Sequence, residues 1–293
     1  MRALVGALLL LLTPPLAGCA PRQSQGEPAL WRVTDADSEI WLFGTAHMLR
    51  PELRWRGPRF EAAFAAADEL VTETDASPEM NRTLQALYQR HGALGPGETL
   101  ADRLGPAEHA RTQRIARALG MEPAQLERMR PWAAALRISY AYALSRGMRA
   151  EAGVENVLVA EARRRGMRLS YLETPEQQVR VLADLAPPVE ARLLADTLSE
   201  IEAGGQALDV IDALWARGEV DALGAAFDAQ WRAGAPEVHE AVILARNRAF
   251  ADAIEARLAG EGRIFIAVGA AHLAGEGNVI GLLRERGLDV EGP

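Results

Sequence analysis

The feature that most constrains the fold of this chain is a short pattern, Gly-x-x-His, that occurs once near each end. The two copies, Gly44–His47 and Gly269–His272, each follow an apolar run typical of a buried β-strand. Small residues let the backbone turn sharply where a strand ends. Each histidine is therefore expected to project from the carboxyl edge of a sheet, where open α/β folds build their sites. Because the chain has only 5 histidines, this placement of His47 and His272 predicts a shared metal or acid–base site.

The first 18 residues are predicted to be an export signal that is not part of the fold. Their apolar run, residues 3–12, is too short to span a membrane, and Leu16-Ala17-Gly18-Cys19 resembles the bacterial lipoprotein cleavage box. That resemblance implies cleavage before Cys19, lipidation of its sulfur and anchoring to a membrane that faces the periplasm. The alternative is an ordinary signal peptide that leaves a free thiol. Ala20 favours the outer membrane by the usual sorting rule, and residues 19–29 are predicted to form a flexible tether.

The composition excludes several kinds of chemistry. Cys19 is the single cysteine, so no disulfide can form and, once it is lipidated, no cysteine nucleophile remains. All 32 basic residues are arginine, and a chain without lysine has no Schiff-base lysine, P-loop or Ser–Lys dyad. With a formal charge of −8 and no basic stripe interleaved with aromatic residues, no nucleic-acid partner is expected. The pattern indicates no particular oligomeric state.

The order of predicted elements is that of an α/β domain whose sheet is built from both ends of the chain. Strands are predicted at residues 30–33, 40–43, 69–75, 167–172, 263–268 and 287–290. Helices are predicted at about residues 58–68, 80–149, 151–165, 175–260 and 276–286. We therefore expect one domain, residues 30–293, with a mostly parallel central sheet and a large helical insertion. This helical middle, about 78–165 and 175–260, is expected to lie over the carboxyl edge of the sheet.

Four predicted strands end in side chains that can bind metals or move protons, namely His47, Glu73, Glu173 and His272. If the strands are parallel, these ends converge on one edge of the sheet. Two imidazoles with one or two carboxylates would suit a divalent ion such as Mn²⁺, Co²⁺, Fe²⁺ or Zn²⁺. Such a metal would lower the pKa of its bound water, and a spare carboxylate could act as the general base.

Each of these residues also has an ordinary structural interpretation. A histidine at a strand end is often only hydrogen-bonded within a loop. Glu73 or, because it stands closer, Asp75 could cap the helix near residue 78, and Glu173 could cap the helix near Pro175. The other histidines stand in polar contexts and are predicted to be solvated surface: His91, His109 and His239.

Short motifs spread along the chain resemble those of the TraB/GumN/PrgY family, which includes the Tiki proteases of animals. The paired Gly-x-x-His motifs, the early strand ending in Glu73 and Val-Gly-Ala-Ala-His-Leu at 268–273 carry the resemblance. Further matches occur in the same order along the chain: Arg130-Pro131-Trp132, Gly153-Val154-Glu155, Leu172-Glu173-Thr174 and Arg246-Asn247. The resemblance thus covers about residues 30–290. One departure is Glu155, where the family usually has aspartate.

The resemblance implies a metal-dependent hydrolase, with protease activity established for the Tiki branch. The implied fold is similar to that of the erythromycin-esterase and haem-binding ChaN group. By this resemblance the leading metal and catalytic positions are His47, Glu73 and His272. Five other residues are predicted to complete or support the site: Glu173 as a further ligand, Arg246 to stabilise an oxyanion or orient substrate, and Asn247, Glu155 and Asp75 around them.

The sequence therefore predicts a membrane-tethered, metal-dependent hydrolase that cleaves peptides or proteins. The alternative is a lipoprotein that binds haem or iron without turnover, and a third possibility is a family member that acts only as a protein-interaction module.

Overall fold

The protein forms a six-stranded sheet surrounded by helices. The structure, a computed structural model, describes residues 26–75 and 77–293, the side chains at positions 78, 79, 81, 206, 207 and 233 excepted. The predicted signal and Cys19 lie outside the described residues. The strands are β1 Leu30–Thr34, β2 Ser38–Thr45, β3 Glu69–Thr72, β4 Arg168–Tyr171, β5 Gly262–Gly269 and β6 Val290–Glu291.

Strands from both ends of the chain meet in this sheet. Their order is β4-β3-β5-β2-β1-β6. The pairs β4–β3, β3–β5 and β5–β2 are parallel, whereas β1 pairs with β2 and β6 in antiparallel fashion. The α/β class and the mostly parallel central sheet are therefore confirmed. The late strand β5 lies between β3 and β2, so the carboxyl ends of four parallel strands share one edge.

Many of the α-helices within the described residues begin at a proline. The helices are α1 Pro58–Ala66, α2 Pro78–Gly92, α3 Leu100–Arg103, α4 Pro106–Ala118, α5 Pro131–Ser145, α6 Val154–Arg165, α7 Pro175–Ala183, α8 Pro187–Glu202, α9 Gln206–Ala216, α10 Val220–Ala233, α11 Pro236–His239, α12 Ala245–Leu258 and α13 Val279–Glu285. Proline opens α1, α2, α4, α5, α7, α8 and α11, where its missing N–H would be unpaired in any case. None of these helices combines the length and apolar character needed to cross a bilayer.

Alternate residues of the central strands pack into two separate cores, one on each face of the sheet. On one face Trp41, Phe43 and Phe265 pack against α1, α6, α9 and α10. On the other face Ile40 and Leu42 pack against α12 and α13. Strand β5 is buried on both faces, which is typical of a central parallel strand.

The helical middle of the chain has a core of its own. Leu100, Ile115, Ile138 and Leu194 bring α3, α4, α5 and α8 together, apart from the two cores on the sheet. It also supplies side chains at the carboxyl edge, because α12 begins with residues that point toward the ends of β3, β4 and β5.

Candidate active site

The two Gly-x-x-His turns lie side by side at the carboxyl edge of the sheet. Strands β2 and β5 are paired in register, with Thr45 opposite Gly269. Gly44 approaches the neighbouring turn so closely that a Cβ on it would be 3.1 Å from the Cα of Ala270. The matched pattern in the sequence therefore corresponds to matched positions in space.

His47 is held by a carboxylate and remains open to solvent. Its side chain is 69% exposed, and its Nδ1 lies 2.8 Å from Oε1 of Glu155. The same carboxylate oxygen accepts a hydrogen bond from the Thr45 hydroxyl. The negative charge of Glu155 raises the pKa of His47 to about 9. His47 Nδ1–H therefore donates to Glu155. Nε2 faces the site and carries a proton at neutral pH, so a metal ion that bound there would have to displace that proton.

His272 is buried and carries its proton on the side away from the site. The Asn247 amide donates from Nδ2 to the Gly277 carbonyl at 2.8 Å, which leaves its Oδ1 as the acceptor 2.6 Å from His272 Nδ1. The hydrogen-bond network thus assigns Nδ1–H to His272 and a lone pair to Nε2. Burial, with help from the nearby Arg246, lowers the pKa of His272 to about 4.

Glu73 lies between the two histidines. Its Oε1 accepts the Gly269 N–H at 2.6 Å and lies 3.6 Å from His272 Nε2. A Cβ placed on Gly269 would be 3.1 Å from Glu73 Oε1, 3.6 Å from His272 Cδ2 and 3.9 Å from His47 Nε2, so all three side chains border one small space. Burial would raise the pKa of Glu73, but His272, Arg246, His47 and the Gly269 N–H lower it to about 2.

Arg246 ties the carboxylates together. Its Nε and Nη2 donate to the two oxygens of Glu173 at 3.1 and 2.6 Å, and Nη2 also donates to Glu73. Its Nη1 lies 3.1 Å from His272 Nε2, where the lone pair accepts its proton. Burial raises the pKa of Glu173, and the guanidinium opposes that shift. Glu73, Glu173, His272 and Arg246 therefore form one hydrogen-bonded cluster.

A π-helical segment positions Arg246. The chain runs from α11 through the π-helix Glu240–Leu244 directly into α12, and Arg246 Nη1 donates back to the Val242 carbonyl at 3.1 Å. Short π-helical segments are frequent at functional sites. Arg246 and Asn247, the second and third residues of α12, contact the cluster at the sheet edge.

The cluster partly fits a divalent ion. Both histidines bond through Nδ1 and leave Nε2 toward the shared space, as metal-binding histidines generally do. The 3.6 Å between His272 Nε2 and Glu73 Oε1 is close to the ~3.4 Å between two ligands of one tetrahedral ion. Within residues 26–75 and 77–293, however, no group of three or more His, Cys, Asp or Glu side chains has a ready metal-binding arrangement. The Arg246 guanidinium already contacts Glu73 and His272, so an ion there would have to displace it.

The structure corrects several of the ordinary interpretations. Neither Glu73 nor Asp75 caps α2, because Ser77 does, and Thr174 rather than Glu173 caps α7. Asp75 instead accepts the Ser77 N–H at 2.8 Å and a hydrogen bond from Tyr171. Ser and Thr prevail because each directly precedes a helix-opening proline, which places its hydroxyl at the N-cap position.

The three remaining histidines are not solvated surface. His91 Nε2 lies 3.0 Å from Glu176, His109 Nε2 lies 2.6 Å from Glu127, and His239 stacks on the Trp231 ring. All three are only partly exposed. A polar sequence context therefore failed to predict their partners, which are distant in the chain or one helical turn or more away.

Sequence reasoning missed two contributors to the site. Thr45 bonds to the Glu155 carboxylate. Tyr88 of α2 is a partly buried phenol whose pKa is raised by desolvation and influenced by Arg246 and Glu173. Thr45 lies within the first Gly-x-x-His motif and could have been found there. Nothing in the local sequence distinguishes Tyr88 from an ordinary core residue.

A family model for the TraB/PrgY/gumN family matches residues 29–292, nearly all of the described structure. The chain belongs to this family. Within it, the chain is 25% identical over 257 residues to "Uncharacterized protein YbaP" of Escherichia coli (strain K12), covering 88% of this chain and 92% of YbaP. The protein of the same name from Shigella flexneri is 26% identical over 257 residues, with the same coverage of both chains. No solved structure matches the chain.

Proposed function

We propose that this protein is a metal-dependent hydrolase that cleaves peptide bonds at the carboxyl edge of its sheet. The single observation that supports this proposal best is the common direction of two imidazole Nε2 atoms and one carboxylate. His47 and His272 are each fixed through Nδ1, and Glu73 lies between them beside Gly269. His47 is open to solvent, which gives a substrate access to this space.

In this proposal His47 Nε2, His272 Nε2 and Glu73 hold the ion. A bound divalent metal would polarise the carbonyl of the substrate and lower the pKa of a bound water. Because its pKa is about 2, Glu73 stays ionised and is a weak base, so it is better suited to bind a cation than to remove a proton. Glu173 has a raised pKa and is the better proton acceptor of the two. Displaced by the ion from Glu73 and His272, Arg246 would still be held by Glu173 beside the site and would stabilise the negative charge that develops on the attacked carbonyl oxygen.

We further propose that the chain is a lipoprotein anchored through Cys19 and exposed to the periplasm, with the outer membrane favoured. The Leu16-Ala17-Gly18-Cys19 box supports this assignment. A substrate would then be a peptide or a protein segment that reaches the anchored domain.

The experiment that tests the hydrolase compares the wild-type chain with His47→Ala/His272→Ala and with His109→Ala. His109 is also bonded to a glutamate but lies outside the cluster, so it serves as the matched control. We expect Mn²⁺, Co²⁺ or Zn²⁺ to bind near one equivalent and to raise the melting temperature of the wild type and His109→Ala only. Glu73→Gln should lose peptide hydrolysis but keep its fold.

If no metal shifts the melting temperature of the wild type or of any variant, the proposed metal-dependent mechanism is wrong. A haem titration of the same samples then tests the alternative from the sequence, since a haem protein would give a Soret band whose position changes in His47→Ala or His272→Ala.

A further inference from the structure

Exposed apolar side chains are concentrated on one helix. Within the residues that the structure describes, the large hydrophobic side chains exposed to solvent are Leu136 at 38%, Tyr140 at 49%, Leu144 at 37% and Val210 at 50%. The first three are spaced four residues apart on α5 and so form a single stripe along it. Val210 belongs to α9, which contacts the end of α5 through the Arg146–Asp209 ion pair at 2.6 Å.

The charge around this stripe differs from that of the chain as a whole. The chain has 40 acidic residues against 32 arginines, yet residues 131–150 contain no acidic residue. Exposed arginines occur there at positions 137, 146 and 149. Arg137 donates to the Gln125 amide oxygen and Arg149 to the Leu144 and Met148 carbonyls, so both bond to uncharged groups. An apolar stripe flanked by arginine matches the chemistry of an anionic bilayer surface.

The beginning of the described chain lies near the same face. Gly26 N–H donates to the Arg54 carbonyl at 2.8 Å, and Glu27 N–H donates to the carbonyl of Ala216, the last residue of α9. About 10 Å of helix separates Ala216 from Asp209, which holds Arg146. Cys19 precedes Gly26 by only seven residues, which can span at most about 25 Å. A lipid on Cys19 would therefore keep a bilayer within reach of α5 and α9.

We propose that this face rests on the anionic surface of the bilayer that holds the lipid of Cys19. The face, called the α5 face below, consists of three α5 hydrophobic residues, their neighbour on α9 and three arginines: Leu136, Tyr140, Leu144, Val210, Arg137, Arg146 and Arg149. The proposal rests on the proposed lipid anchor. Tyrosine is enriched where a protein meets the headgroup region. Arg137 and Arg149, which bond to uncharged groups, add attraction to anionic lipid, whereas Arg146 is paired with Asp209 and adds less.

The α5 face also has a fixed relation to the candidate active site. Arg149 and Leu49 exchange backbone hydrogen bonds at 2.8 and 3.2 Å, and Leu49 is only two residues beyond His47. Contact of the α5 face with lipid would thus hold the exposed His47 near the bilayer. Polypeptide segments close to the membrane surface are then the substrate class that this orientation favours.

The test uses the mature, lipidated chain in vesicles of phosphatidylethanolamine and phosphatidylglycerol. Tyr140→Cys and Leu144→Cys are each labelled with a fluorophore, and Ala256→Cys on the exposed side of α12 is the matched control. We expect nitroxide-bearing lipids to quench the labels at 140 and 144 several-fold more than the label at 256. Arg137→Gln/Arg149→Gln should reduce that difference, as should vesicles of phosphatidylcholine alone.

Three results would overturn the proposal. Equal quenching at all three positions would mean that the α5 face does not meet lipid. The labels at 140 and 144 could instead be shielded from solvent without being quenched by lipid, and more so at higher protein density. That result would mean that a second copy of the chain covers the face. An intact mass showing an unlipidated Cys19 would remove the anchor on which the proposal rests. Peptide hydrolysis by the same sample in detergent reports on the proposed enzyme separately.

Discussion

At the scale of single residues, Arg246 occupies the position that a cation would take in the cluster. It is bonded to both carboxylates and to the lone pair of His272. Removing it leaves two buried carboxylates without their counter-charge, which typically costs about 3–5 kcal/mol. Arg246→Ala should therefore be less stable than the wild type without metal, yet it should gain more melting temperature from Mn²⁺ or Co²⁺.

A matched control for that experiment is Arg130→Ala. Arg130 pairs with the buried Glu190 of α8, outside the cluster at the sheet edge. Loss of Arg130 also leaves a buried carboxylate unpaired. Thermal unfolding with and without metal should separate the two variants, because only Arg246→Ala should show the larger metal-induced shift. An equal shift in both variants would mean that Arg246 does not compete with a cation.

The raised pKa of Asp212 predicts that the stability of the protein depends on pH, independently of the cluster at the sheet edge. Burial and the nearby Asp209 raise its pKa to about 6, and Arg50, 3.7 Å away, opposes the shift in part. The folded state then binds more protons than the unfolded state between about pH 4 and 6, so this carboxyl lowers stability as pH rises through 6. Asp212→Asn should be more stable than the wild type above pH 7 by about 1–3 kcal/mol and equal to it near pH 4.

Denaturant unfolding across this pH range measures the effect, and Asp209→Asn is its control. Asp209 accepts bonds from both Arg50 and Arg146, which lower its pKa, so its neutralisation should reduce stability at neutral pH. A wild-type curve that rises between pH 4 and 7 in parallel with that of Asp212→Asn would contradict the assignment.

The residues of the cluster differ in how well the sequence predicts them. His47, His272, Glu73 and Glu173 could be identified because each lies within three residues of the end of a strand, and parallel strands end at the same edge of the sheet. The bonding role of Arg246 could not be predicted in the same way, because its partner Glu173 is 73 residues away. The geometry depends on the π-helical turn before α12, for which the sequence has no clear pattern.

At the scale of secondary-structure elements, the start of α6 fixes the first Gly-x-x-His turn. A Cβ on Gly153 would lie 2.1 Å from the His47 carbonyl oxygen. The N–H of the next residue, Val154, donates to the Ala46 carbonyl at 3.0 Å. Gly153→Ala should push α6 away from this turn and weaken the His47–Glu155 bond. We expect a loss of about 1–3 kcal/mol, and the pKa of His47 should fall from about 9 toward its ordinary value.

Gly105→Ala is a close control. Like Gly153, Gly105 stands immediately before a helix; its own backbone is extended, and no atom lies within 4 Å of a Cβ added to it. Thermal unfolding and an NMR titration of the histidine ring protons measure both effects. Similar melting temperatures and His47 titrations in the two variants would show that the close approach of Gly153 has no influence on the site.

The same region holds Glu155, where the resemblance to the family predicts aspartate. The Glu155 carboxylate bonds to both His47 Nδ1 and the Thr45 hydroxyl. The sequence alone left the role of Glu155 open, since a carboxylate at the start of a helix also stabilises the helix dipole. The contact with His47 depends on the packing of α6 under the turn and so could not be read from spacing.

At the scale of the whole molecule, the sheet depends on β5. This strand pairs with β2 over eight positions and with β3 over four, whereas β6 adds only two residues at the edge. A chain that ends before Gly262 should therefore show no cooperative thermal transition by circular dichroism. Removal of residues 290–293 alone should leave that transition in place. A sharp transition in the shorter chain would mean that the helical middle and the first strands fold without β5.

The fold class was predictable because apolar runs and their turn residues mark each strand, but the strand order was not. Pairing of β2 with β5 joins segments at opposite ends of the chain, and all the central strands are similarly apolar on both faces. Hydrophobic pattern alone therefore does not choose a neighbour for any of them. Likewise, the sequence indicated a helical middle, but it did not show that α3, α4, α5 and α8 enclose a separate core.

The central position of β5 also affects how the protein must be made. Strands β2 and β3 leave the ribosome early, but the strand that joins them follows only after everything between Thr72 and Gly262. At about 5–20 residues per second this delay is roughly ten seconds or longer. During it, the edge of β2 that will pair with β5 has no partner and can bind other chains. The nascent chain is therefore expected to need a chaperone at the segment around Ile40–Phe43 until the second histidine turn has been synthesised.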